Sequence, residues 1–581
     1  MAPKPNRTAT RDRDLSQPLA KLDPNETLKA RSRFLRGTIE NSLADPVTGS
    51  ISEDDAKLVK FHGMYMQDDR DVREERHRQK LEPDYQFMVR VRLPGGVLDA
   101  PQWLALDGIA REYGRGSLRL TTRQTFQIHG VMKPNLRATL QRLDAILLDT
   151  IAACGDDCRG VMCSVNPALS ELHREVYALA NRASAHMRPK SGAYREIWLG
   201  EECIAGGDPD LNEEPFYGPT YLPRKFKIGF AIPPINDIDV YTQDLGFIAI
   251  ADGETLQGFN VCVGGGMGRT DRVPRTYPRL ADVIGFVTPD QVLDLSRQVI
   301  SIQRDYGDRV DRNRARFKYT LDVHGIPWFC SELETRLGFA LSPARAFRFD
   351  TNNDSFGWQR GSDGRWHLTV FIENGRVTNQ RDCQLLDALR GIALEHGVQF
   401  RLTPNQNLVV SGVEARARED INALLTLHHV DFDSKQSALR RSSMACVAFP
   451  TCGLAMAESE RYLPAFLTKF EALLRDHGLD TQAISVRMTG CPNGCARPYV
   501  AEIGLTGRAP GKYNLYMGGG AHGQRLNVLH TENIAEAKIF EILRPLVARY
   551  ARERSPGEPF GDFVQRIGVL RSAASHDVSV N

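Results

Sequence analysis

The chain has 581 residues, too many for one core and enough for three or four domains of about 150 residues each. Hydrophobic residues make up 41% and charged residues 25%, ordinary for a globular protein, and 74 basic against 72 acidic side chains leave a formal charge of +2. That balance excludes a general basic field for nucleic acid or membrane, so any anion chemistry has to come from local clusters.

The chain opens polar and charged, without the apolar core of a secretory signal, and no apolar run reaches the length of a membrane span. A cytoplasmic protein is expected. Eleven cysteines, an odd number in so long a chain, read as reduced thiols plus a metal site rather than a disulfide framework. Residues 1–75 form an arm, either solvated or wrapped on the rest, with a sparse first thirty residues and a denser stretch at KFHGMYMQDDRDVREERHRQKLEP (Lys60 to Pro83).

From Gln86 the pattern changes. FMVRVRLPGG alternates apolar and basic residues at period two and ends in a turn, PQWLALDGIAREYG has helical spacing, and GSLRLTTRQTFQIHGV is a second strand signal. The same order recurs later: HLTVFIENGRV (His367 to Val377) answers FMVRVRLPGGV, and VQFRLTPNQNLVVSGV (Val398 to Val413) answers GSLRLTTRQTFQIHGV, with Arg119 and Arg401 in register. FNVCVGGG (Phe259 to Gly266) is likewise echoed by YNLYMGGG (Tyr513 to Gly520). Three echoes in one order indicate an internal duplication. The expected architecture is α/β (α+β) and pseudo-two-fold, each half supplying a small ferredoxin-like unit and a larger α/β domain, with ligands where the halves meet. The boundaries fall near 76–150, 151–350, 351–430 and 431–581.

Basic side chains interrupt otherwise apolar strands at Arg90, and Lys225 and Lys227 lie on one face of a period-two segment around Phe226. CGDDCRGVMC carries Cys154, Cys158 and Cys163 with no fourth ligand and reads as ordinary thiols. GGGMG does not continue as G-x-G-x-x-G, since Asp271 stands at the third position, so no dinucleotide site is expected. The glycine triplets Gly264 to Gly266 and Gly518 to Gly520 are turns that could also let backbone approach a cofactor.

Cys446, Cys452, Cys491 and Cys495 fall in the pattern C-x5-C, a gap of 38, then C-x3-C. Four thiolates can saturate an iron–sulfur cube; zinc usually takes shorter knuckles, and unligated thiols are the remaining alternative.

The strings around these thiols, SMACVAFPTCGLAMAESER and RMTGCPNGC, closely resemble the cluster motifs of the siroheme-dependent sulfite and nitrite reductases, and the resemblance runs from about Arg33 to about Arg571. It implies that the four cysteines hold a [4Fe–4S] cluster and that Cys495 also ligates the siroheme iron. It further implies that Arg90, Arg159, Lys225 and Lys227 surround the substrate, and that Arg119, Arg123, Gln127, His129 and Asn514 contact the siroheme. Nitrite reductases of the family typically carry asparagine where PRKFK has its last lysine, so Lys227 favours sulfite. The implied activity is six-electron reduction of sulfite to sulfide in sulfate assimilation and cysteine biosynthesis. The long arm resembles the form paired with an NADPH-oxidising flavoprotein; a ferredoxin-dependent enzyme and a nitrite reductase are the alternatives.

Overall fold

The computed structural model describes residues 18–190, 197–199, 202–205, 214–432 and 435–570; the first seventeen residues of the arm lie outside them. Among these residues no helix is long and apolar enough to cross a membrane.

The alternation in FMVRVRL does what its period dictates. Phe87, Val89 and Val91 are fully buried in a core shared by both small units, while Met88 and Arg90 face the other way, into a cavity. Leu118 and Leu120, and Phe126 and Ile128, repeat the inward face on the two neighbouring strands. A helix over Ala100–Glu112 covers it, started by Asp99 and Gln102 in a reciprocal cap, and its Trp103 stacks on Phe400 of the second unit at 4.4 Å.

The two small sheets exchange strands. The first runs Met64–Asp68, Tyr85–Arg90, Phe126–Val131, Ser117–Leu120 and then takes Arg376–Gln380 and Cys383–Gln384 from the later half. The second runs Gly357–Arg360, Trp366–Val370, Leu408–Val413, Gln399–Leu402 and takes Val97–Leu98 from the earlier half. The crossings are turns at Pro94–Gly96 and Glu373–Gly375, whose middle residues Gly95 (φ 59°) and Asn374 (φ 51°) are both left-handed. At the next position Gly96 and Gly375 both have φ 72°, and a Cβ there would lie 2.8 Å from the Leu402 carbonyl and 2.4 Å from the Leu120 carbonyl. Each half therefore closes on the other in the same way.

The larger units repeat one another too. Met162–Cys163, Ile228–Ala231, Leu245–Asp252, Thr255–Val263 and Asp282–Val287 lie side by side in chain order, the first three parallel and the last two antiparallel to their neighbours. Met444–Ala445, Val486–Thr489, Ile503–Ala509, Lys512–Met517 and Val528–Ala535 have the same order and senses. The repeats meet at a buried charge cluster. Asp239 and Arg497 occupy corresponding positions, both left-handed (φ 46° and 55°), and Arg497 and Arg487 both donate to the Asp239 carboxylate. Burial opposes that carboxylate's charge, but the two guanidiniums hold it below its ordinary range.

The arm is not a loose extension from residue 18 onward. Its strand Met64–Asp68 pairs with Tyr85–Arg90, and Lys29 is buried with its ammonium on Glu26 at 2.6 Å and on the Leu222 carbonyl at 2.8 Å.

Candidate functional site

A cavity of about 760 Å³ opens where small and large sheets meet, and fourteen lysine and arginine side chains line it against a single carboxylate, Asp156. In a chain of charge +2 this is a strong local excess. Lys29, Lys57, Arg119, Arg316 and Arg497 are paired with carboxylates behind the wall, and the other lining cations, which share Asp156 alone, favour an anionic ligand.

The first wall is a rung across the first small sheet. Arg90, Gln127, Arg119 and Arg376 stand directly opposite one another on four successive strands, so all four point to one face, and His129 follows Gln127 on that face. The exchanged strand thus carries the fourth member. Arg119 and Arg376 are both neutralised by Glu460, at 2.6 and 2.7 Å, and Arg119 also donates to the Ala445 carbonyl at 2.8 Å, beside Cys446. Arg123 is held by Gln243 and the Gly160 carbonyl; burial, then the Arg159 guanidinium, pushes it down to about 9. Both ring nitrogens of His129, Nε of Arg90 and Arg316 and Oε1 of Gln406 are buried with no protein partner. Buried polar groups are rarely left so.

The second wall carries the remaining cations. Phe226 is packed in the core and bridges Cys158, with its carbonyl accepting from the Arg159 amide at 3.0 Å, so Lys225 and Lys227 on either side turn into the cavity near Arg159. Neither lysine has a carboxylate partner among the described residues. Burial, then Arg159 for Lys225 and Arg123 for Lys227, lowers both ammonium pKa values well below the ordinary lysine range. Arg90 donates to Cys154 at 3.0 Å, while Cys158 and Cys163 are buried in the core of the first large unit.

The third wall is the cysteine pair of loops. Cys446 follows the strand Met444–Ala445, and Cys491 and Cys495 follow Val486–Thr489 through a turn whose Gly494 is left-handed (φ 65°). Cys446, Cys452, Cys491 and Cys495 all border the cavity. The Gly490 amide donates to Cys446 at 3.3 Å and Asn493 to Cys491 at 3.5 Å, donors that stabilise metal-bound thiolates. Burial, then the Cys495 thiol, raises Cys446 and Cys491, the latter to about 12. Four such thiolates need a cationic centre to coexist. Among the described residues no three His, Cys, Asp or Glu groups converge on a single point.

Asn514 does not join the others. It lies on Lys512–Met517 away from the cavity, and its Oδ1 accepts from the Asn533 amide at 2.9 Å, where the pairing with the edge strand is irregular. Its counterpart Asn260 is likewise bonded to the Arg345 backbone. The glycine triplets are demanded by packing: a Cβ at Gly265 or Gly519 would lie 2.2 Å from the Tyr241 or Ala501 carbonyl, and Met267 and Gly268, not the triplets, reach the cavity. Sequence reasoning missed Arg224, Arg316, Gln406 and Glu460. The left-handed Gln406 was detectable, because it repeats Gln124 in the duplicated segment.

Comparison with known proteins places this geometry in context. The model of the nitrite/sulfite reductase ferredoxin-like half domain matches residues 78–146 and 359–428, and that of the nitrite and sulphite reductase 4Fe-4S domain matches residues 179–341, the copy without the four cysteines. The chain is 63% identical to the sulfite reductase [NADPH] hemoprotein beta-component of Bordetella petrii, covering 97% of this chain and 96% of that one. It is 59% identical to the protein of the same name from Methylocella silvestris, covering 97% of each. The solved structure of the Mycobacterium tuberculosis NirA protein superposes with a TM-score of 0.74 at 27% identity, covering 94% of this chain and 96% of that one.

Proposed function

Because the chain belongs to the nitrite and sulfite reductase family, we propose that it catalyses six-electron reduction of sulfite to sulfide at a siroheme coupled to a [4Fe–4S] cluster. In this reading it is the haem-bearing component, supplied by an NADPH-oxidising flavoprotein, and works in the cytoplasm in sulfate assimilation and cysteine biosynthesis. The observation that carries the proposal is the cavity itself, with fourteen cations against one carboxylate and four cysteines on one wall.

Cys446, Cys452, Cys491 and Cys495 would hold the cluster, with Cys495 shared with the siroheme iron. Siroheme bears eight carboxylates, and the unpartnered His129 nitrogens, together with Arg119, Arg123 and Gln127, fit such a ligand. When bound, these groups supply the electrons and the iron at which sulfur is held.

The chain's own residues bind, orient and protonate. Arg90, Arg159, Lys225 and Lys227 all line the cavity and would neutralise the sulfite dianion. Each oxygen has to leave as water, so protons must arrive where the S–O bonds break. Lysines whose pKa burial lowers give up a proton more readily than an exposed lysine does.

The purified, cofactor-loaded protein should show siroheme absorption, iron and acid-labile sulfide in cluster proportion, and faster turnover of sulfite than of nitrite. A loaded protein without siroheme bands, or one preferring nitrite, would overturn the proposal.

A further inference from the structure

The cavity does not stop at the substrate cations; it continues to the N-terminal arm, where Lys60 and Tyr65 line it. The arm is fixed there by a buried charge cluster. Lys29 and Arg309 both pair with Glu26, and the Asp23 amide donates to the Arg309 carbonyl at 2.9 Å. Lys60 itself is half-buried, with its ammonium 5.7 Å from the centre of the Tyr65 ring. Among the described residues no carboxylate lies within ion-pair distance of it.

Its surroundings are positive as well. Burial, then Arg312, with Arg224 and Lys57, acts against its charge, and Asp156 favours it. Asp156 is already engaged with Arg312 at 2.8 Å, and lies 3.6 Å from Arg224 and 3.8 Å from Lys29. One carboxylate thus faces three cations before Lys60 is counted. Further in, after burial, Arg159 and Arg224 act most strongly against the Lys225 charge. Positive groups therefore continue from the arm to the catalytic cations.

We infer that Lys60, backed by Arg312, is an outer anion-capture site on the substrate's route, drawing sulfite from solvent and passing it inward to Arg159 and Lys225. The inference rests on the sulfite reductase reading. A cationic lip in a low-dielectric wall focuses the field and raises the rate of encounter, and salt weakens it. A capture residue touches no reacting atom. It therefore acts on kcat/KM and its salt dependence and leaves kcat alone.

The test uses the full-length, cofactor-loaded protein with sulfite as substrate and reduced methyl viologen as donor, so that no protein docking is involved. Lys60→Gln should lower kcat/KM about three- to fivefold at low ionic strength, out of the 10-fold or more that steering by a whole charged cleft supplies. The loss should vanish near about 1 M salt, where the screening length is about 3 Å. Lys60→Arg should restore the wild-type value, and Lys60→Met, which keeps the apolar stem, should repeat the loss if the glutamine variant does not fold. Unchanged kcat/KM at low salt, a loss that salt does not relieve, or a loss in kcat would overturn the inference. So would an effect seen with a flavoprotein donor but not with methyl viologen, which would make the arm a docking element. A wild-type protein inert towards sulfite would remove the enzymatic reading and this inference together; an active wild type with an indifferent Lys60→Gln removes this inference alone.

Discussion

Replacing Lys227 by asparagine is the sharpest test of how the cavity selects its anion. Sulfite carries one more negative charge than nitrite, so the deleted ammonium is worth one extra charge–charge interaction with sulfite. At a separation of about 5–6 Å and an effective dielectric of about 20, that interaction is about 3 kcal/mol. Asp244 lies close enough to favour the Lys227 charge and the cavity is open to solvent, so about half of that figure is a fair lower bound. The ratio of kcat/KM for sulfite to kcat/KM for nitrite should then fall by about 10- to 100-fold, since about 1.4 kcal/mol is a factor of ten. Steady-state assays on both anions with one artificial donor measure it, slightly alkaline so that sulfite is a dianion. If the ratio is unmoved, Lys227 does not discriminate by charge; if both values fall equally, it holds the fold or the siroheme instead.

Other substitutions probe the supports of the site. Glu460→Ala leaves Arg119 buried without its counter-ion and should cost about 3 kcal/mol, seen as a lower denaturant midpoint, with Glu460→Gln losing less. Burial raises the Glu460 pKa but Arg119 and Arg376 more than offset it, so the folded value is depressed. Its contribution is therefore present above the ordinary carboxylate pKa and lost as pH falls through the folded one; a wild-type midpoint that drops no faster with acid than that of Glu460→Gln would refute this. Gly375→Ala and Gly96→Ala combine a left-handed backbone with contacts of 2.4 and 2.8 Å, and both should destabilise by about 2 kcal/mol or more, Gly375→Ala the more, in thermal unfolding. Cys495→Ser should lose iron and labile sulfide in metal analysis while Cys163→Ser, in the packed core, retains both.

Much of the site was legible because its signals are local. Strand alternation turns Arg90 away from the core, and the same rule turns Lys225 and Lys227 outward around Phe226, whereas Gln127 and His129 were implied by the family resemblance. The cysteine spacing and the echoed segments pointed to a cluster in a duplicated fold. What depends on long-range pairing was not legible. No period in the chain says that Arg376 stands beside Arg119, or that Glu460 neutralises both, because strand exchange sets that register. Asn514 was implied only by the family resemblance, and no local signal says that its amide oxygen accepts from Asn533, where the pairing with the edge strand is irregular. The arm looked solvated at its start because single buried charges such as Lys29, satisfied by Glu26 and a carbonyl, leave no hydrophobic signature.

The exchanged strands also fix when the molecule can be finished. During synthesis the edge at Ser117–Leu120 waits unpaired until Arg376–Gln380 leaves the ribosome, an interval on the order of tens of seconds at ordinary translation speeds. For that time a bare strand edge is open to other chains, and the nascent protein has a stretch in which a holding chaperone is useful. A ribosome stalled, or a gene cut, between the halves would leave two incomplete sheets, so the ancestral repeats no longer survive apart.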